Sequence, residues 1–147
     1  MLISKRLLSL AFACATLAAT TGCAVNQATA SLTPGADLSK VKSVYVVKLP
    51  QDGRGVDELI KKDLAKRGYQ VDGGAEQTPP YKSDAVVTYI DKWMWDITMY
   101  MLELTITVRD PANFPLATGN SLHTSLTRKS PEEMVDEVLT NIQNAKK

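Results

Sequence analysis

Residues 99–110, MYMLELTITVRD, alternate apolar and polar with a period of two. Tyr100, Leu102, Leu104, Ile106 and Val108 fall on one side, and Met101, Glu103, Thr105, Thr107 and Arg109 on the other. Such a strand is stable only when its apolar row packs on a second layer and its polar row meets water. The stretch just before it, DAVVTYIDKWMW (84–95), reads as a second long strand. The connection near Asp96-Ile97-Thr98 is short, so the two strands are antiparallel neighbours. Any fold open to this chain is built around a long hairpin covered on one side.

The rest of the chain supplies the cover. KVKSVYVVKLP, ending at Pro50, is β-branched and becomes continuously apolar through Val44–Val47, the pattern of a strand buried on both faces. After the turn QDGRG, Val56, Leu59, Ile60 and Leu64 recur at helical spacing, and Gly68 suits a left-handed helix stop. YQVD gives a short strand before the loop GGAEQTPPYKS. PANFPLATGN reads as a loop and SLHTSLTR as a shorter strand, with Leu122 and Leu126 on one face. The last helix has the strongest local signal: Ser130 as cap, Pro131 at the first position and Glu133 completing a Ser-x-x-Glu capping box. Met134, Val135, Val138, Leu139 and Ile142 form its apolar stripe. The order β-α-(β)-β-β-β-α predicts an α+β fold, one mixed sheet of four to five strands with two helices on one face. It leaves a Glu103/Thr105/Thr107/Arg109 face open, continued by His123, Ser125 and Thr127. This order over residues ~41–145 is similar to the small α+β domains of periplasmic assembly lipoproteins, such as the lipopolysaccharide-transport and curli-secretion lipoproteins. The resemblance is one of topology and implies an accessory role in envelope assembly.

The N-terminus carries a second set of instructions. Lys5 and Arg6 precede an apolar run from Leu7 to about Ala19, followed by small residues, the layout of a secretory signal peptide. The run falls short of the ~20 helical residues that span a bilayer. Thr20-Thr21-Gly22-Cys23 resembles the lipobox of bacterial lipoproteins, with Thr20 where Leu is usual. The resemblance implies removal of residues 1–22, palmitate and other acyl chains on Cys23, and, with Ala24 following, an anchor on the periplasmic side of the outer membrane. Cleavage after Ala30, giving a soluble secreted or periplasmic protein, is the competing reading. Cys14 lies in the discarded segment, so Cys23 is the sole cysteine of a processed chain and no internal disulfide forms. Residues 23–40 are expected to be the lipidated Cys and a flexible tether, and 41–147 a single domain.

Charge and motif content exclude several functions. Of 17 Lys and Arg, two leave with the signal peptide, so 15 bases face 16 acids in the processed chain. Nucleic acid, which needs a basic excess, is not an expected partner. His123 is the only histidine and reads as a solvent-facing strand residue; alone it supplies neither a zinc site nor a persuasive catalytic base. GGAEQ and QDGRGVD match no phosphate or calcium loop. Alternation places Asp91 and Asp96 on opposite faces. The expectation is a protein with no catalytic residues, no metal and no cofactor.

What stands out is DKWMWDITMY (91–100), which holds both tryptophans. Strand alternation allows two assignments. In one, Val86, Ile90 and Met94 are core and Tyr89, Trp93 and Trp95 stand on the open face. In the other, the aromatics are buried. No Gly or Asn-Gly marks the turn, so apolar residues crowd a hairpin tip. Tyr89, Trp93, Trp95, Met99 and Met101 are the candidate contact surface, against the plainer reading that they cap the core. Two functions follow: an envelope lipoprotein that docks a protein partner, or a small-ligand or lipid-binding lipoprotein with an apolar cleft near Trp93 and Trp95.

Overall fold

The computed structural model describes residues 26–145, so the segment expected to be a signal peptide and Cys23 lie outside the described residues. The elements run β1 (Asn26–Leu32), β2 (Ser43–Val47), α1 (Val56–Lys66), β3 (Gln70–Gly74), β4 (Ala85–Asp96), β5 (Thr98–Arg109), β6 (Pro115–His123), a 3-10 turn (Ser125–Thr127) and α2 (Pro131–Asn144). The six strands make one sheet in the order β1-β6-β5-β4-β2-β3. β2 is parallel to both β3 and β4, and every other neighbour pair is antiparallel. The α+β class, the mixed sheet and the two covering helices are as expected, with strands added.

The main addition is β1. Residues 26–32 were expected in the tether, but they pair along their whole length with β6, Asn26 opposite His123 and Leu32 opposite Ala117. NQATASL hides its strand character because it is an edge. Only Ala30 and Leu32 touch the core, while Gln27, Thr29 and Ser31 stay exposed. The folded unit therefore takes in residues from Asn26 onward, not from Val41.

Both helices pack on one face of the sheet. Val56, Ile60 and Leu64 of α1 and Met134, Val135, Val138, Leu139 and Ile142 of α2 share a core with Val44, Val46, Val87, Leu104 and Ile106. The caps form as the sequence predicts. Ser130 Oγ accepts from the Glu133 N–H at 3.2 Å, and Glu133 Oε2 accepts from the Ser130 N–H at 2.8 Å. Gly68 closes α1 at φ +92°. Arg67 staples the two helices: its guanidinium reaches Asp63, Gln143, Thr140 and the Asp136 carbonyl and carboxylate.

The strand SLHTSLTR has a different position and phase from the one expected. β6 begins at Pro115, and Ser125–Thr127 have already left the sheet. Ala117, Gly119, Ser121 and His123 face the helices, so His123 is wholly buried and not on the open face. The reason is the close approach of α2. A Cβ on Gly119 would lie 2.9 Å from side-chain carbons of Val138 and Ile142. The opposite face carries a polar ladder across β4, β5 and β6. Lys92 pairs with Glu103 at 2.6 Å, Asn120 bonds Glu103 and Thr105, and Arg109 bonds Thr88. Its other end is roofed by Tyr81, packed on Tyr45, Val47 and Val86.

Candidate functional site

β4 and β5 are the longest strands and overrun their neighbours. β6 stops at His123, one residue past the Glu103–Leu122 pair, while the hairpin continues to Asp96–Thr98. Within that overhang the ladder shifts register. Lys92 faces Glu103 but Trp93 faces Met101, leaving Leu102 as an extra residue. The bulge inverts the alternation toward the tip. Met101 drops into the core with no exposure and is not part of a contact surface. Tyr89, also expected at the surface, is buried at 2% exposure on the helix face. Tyr89 and Trp93 turn toward the core and Ile90, Lys92 and Met94 stay outside, but Trp95 is exposed, so the assignment that buries the aromatics holds only in part.

Trp93 is half-buried against the core, under the Arg54 guanidinium at 4.3 Å from the ring centroid, and its indole N–H donates to Asp91 at 2.5 Å. The space beside it, about 500 Å³, is lined by Gln51, Asp52, Gly53, Arg54, Asp91 and Trp93 and is predominantly polar. Tyr89 and Trp93 thus belong to the fold. Trp95 and Met99, a cross-strand pair, remain outside with Met94 and Ile97.

The tip itself breaks two local rules. Ile97 alone links the strands at φ 60°, a conformation suited to Gly or Asn, and it is 86% exposed. A branched residue held there costs about 1–3 kcal/mol. Trp95 is 68% exposed. The 3-10 turn adds Leu126, also exposed, and is tied to the tip from below. Ser125 Oγ donates to the Asp96 carboxylate, Arg128 donates to Thr98 Oγ1 at 2.8 Å and to the Asp96 carbonyl at 3.2 Å, and its guanidinium lies 4.6 Å from the Tyr100 ring centroid. Met94, Trp95, Ile97, Met99 and Leu126, each exposed, therefore lie at or beside one braced tip and make an apolar end.

Two polar clusters escaped the sequence reading. The Asp52 carboxylate accepts from the Arg54, Gly55 and Asp57 N–H groups and from the Tyr89 hydroxyl at 2.6 Å. Burial would raise its pKa, but these bonds outweigh it and hold Asp52 below the usual carboxylate range. Burial, then Asp52, pushes the Tyr89 phenol well above its ordinary value. The pattern Asp-x-x-Gly-x-Asp before a helix was the available signal, an Asx-type turn. In the second cluster, Glu137 of α2 accepts from Lys129 at 2.5 Å, Ser121 at 2.6 Å and His123 Nε2 at 2.8 Å. A carboxylate only accepts, so Nε2 carries the proton, and Nδ1 is buried without a hydrogen bond. Both clusters tie loops or strands to helices. Among the described residues no three His, Cys, Asp or Glu side chains gather to hold a metal, and no helix is long and apolar enough to cross a membrane.

A six-stranded mixed sheet backed by two helices, with an overhanging hairpin, defines a class of small α+β domain. No protein-family model matches the sequence, and no curated protein matches it. Solved structures do match in fold. PelC from Paraburkholderia phytofirmans, crystallised as a dodecamer, superposes with TM-score 0.57 in two crystal forms, at 17% and 14% identity. The match covers 80% of this chain and 98% of that one. TolB from Acinetobacter baumannii aligns with TM-score 0.42 and 14% identity over 80% of this chain and 31% of that one. The PelC likeness is a likeness of fold.

Proposed function

We propose that this chain is a non-enzymatic lipoprotein, anchored through Cys23 on the periplasmic side of the outer membrane, that serves as an accessory factor by surface contact. The observation that carries the reading is the apolar end formed by Met94, Trp95, Ile97, Met99 and Leu126. A domain acting alone in water would turn such side chains inward. The buried polar groups, by contrast, are spent on the fold itself: Glu137 on Ser121, His123 and Lys129, and Asp52 on its own loop. PelC, crystallised as a dodecamer, shares the fold, which supports contact between copies of this chain. A small-ligand role finds less support, because the cleft beside Trp93 is polar and Trp95 stands outside it.

The test has two parts. Labelled palmitate should mark the wild type and not Cys23→Ala; equal labelling would refute the anchor. Crosslinking with mass spectrometry in the intact host should give discrete protein adducts, self-adducts included. A chain recovered only as an uncrosslinked monomer would count against the contact role.

A further inference from the structure

The apolar end and the start of the folded chain lie at the same end of the sheet. β6 runs toward the hairpin tip, and β1 begins beside its last residue, Asn26 opposite His123. Gln27, Leu122 and Glu103 share one level across three strands. From that level the hairpin extends about 17 Å to Ile97 at ordinary strand rise, allowing for the bulge. Cys23 is four residues before Gln27, a length of chain that spans up to about 14 Å. Only Ala24 and Val25 separate Cys23 from the paired strand. With no long tether, an anchor on Cys23 holds the domain against the bilayer by the end that carries the tip.

Resting on the reading of Cys23 as acylated, we propose that the hairpin tip is a second membrane contact. Trp95, Ile97, Met94, Met99 and Leu126 enter the boundary between headgroups and acyl chains of the bilayer that holds the anchor. The composition fits that boundary. An indole prefers it, apolar body toward the chains and N–H toward the headgroups. The one acid at the tip, Asp96, is bonded by Ser125 and faced by Arg128, so no lone charge is carried in. Ile97 at the turn, a poor choice in water, becomes a good one against lipid. The acyl chains supply affinity, and the tip supplies orientation: it stands the sheet on end, with α1, α2 and the polar ladder rising into the periplasm.

The acylated protein, taken from the host membrane, is reconstituted into vesicles of phosphatidylethanolamine and phosphatidylglycerol with or without brominated acyl chains. Brominated vesicles should lower tryptophan emission relative to unbrominated ones, as expected for a ring held at the headgroup–acyl boundary. Trp95→Phe, which keeps Trp93 under Arg54, should lose most of that quenching, and Ile97→Asp should weaken it. Palmitate-labelled protein with equal emission in both vesicles would overturn tip insertion and leave the anchor standing. So would quenching that persists in Trp95→Phe. A wild type that takes no label would overturn the anchor and this proposal together. A photocrosslinker at position 97 that yields a discrete protein adduct in cells, in place of lipid, would assign the tip to a protein partner.

Discussion

His123 Nε2 lies 2.8 Å from Glu137 Oε2, joining the last residue of β6 to the middle of α2 with the imidazole fully buried. Burial would raise the Glu137 pKa, but the bonds from Lys129, Ser121 and His123 win and hold it down at about 2. A carboxyl depressed in the folded state stabilises above its unfolded pKa and loses that contribution as pH falls through the folded one. Thermal stability should therefore drop between about pH 4.5 and pH 2, by up to ~3 kcal/mol from this group. Glu137→Gln should melt lower at neutral pH and show a flatter acid limb by circular dichroism. Parallel profiles for both proteins would remove Glu137 from the account.

Arg67 joins α1 to α2 through acceptors on both helices, with its side chain 13% exposed. Arg67→Ala leaves several of them unmatched and should cost about 2–3 kcal/mol. Lysine cannot reproduce the planar fork, so Arg67→Lys should recover little. Urea midpoints with unchanged slopes would show this. Full recovery by lysine would mean that charge alone matters here.

Neighbours at the bulge should behave oppositely. Trp95→Ala should change stability by no more than about 0.5 kcal/mol, since the ring is mostly in water. Met101→Ala, emptying a fully buried site, should cost about 2–5 kcal/mol. A large loss for Trp95→Ala would put that ring in the core and end its candidacy as a contact.

Gly119 marks where α2 comes closest to the sheet. Gly119→Ala sets a methyl 2.9 Å from Val138 and Ile142 carbons and should cost about 1–3 kcal/mol as the helix is pushed away. Differential scanning calorimetry on the purified variant reads the shift, and an unchanged melting temperature would show that α2 can slide.

The legible parts of this fold were those where local chemistry and burial agree. Ser130, Pro131 and Glu133 announce α2, Gly68 ends α1, and the β5 alternation marks the sheet. The illegible parts are those where packing overrides hydropathy. On β6 the face under α2 is Ala117, Gly119, Ser121 and His123, because only small side chains, or one that bonds Glu137, fit beneath the helix. Leu122 accordingly points the other way. A one-residue bulge at Leu102 leaves no mark in the residue pattern, yet it reverses the fate of Met101. The candidate site was legible in place and half legible in membership. The hairpin tip is where the sequence puts it and Trp95 and Met99 are exposed there, Tyr89 and Met101 belong to the core, and Leu126 arrives from a turn with strand-like sequence.

The pairing of β1 with β6 also sets a timetable. The strand made first waits for a partner 85 to 97 residues further along, so its edge closes only when the rest of the sheet exists. Loop closure over that distance is the slowest kind of contact to gain. Until it forms, the edge of β6 is bare main chain, an invitation to strand addition by another copy. A chain begun at Val41, trimmed as if it shed only a leader, would be left in that state permanently.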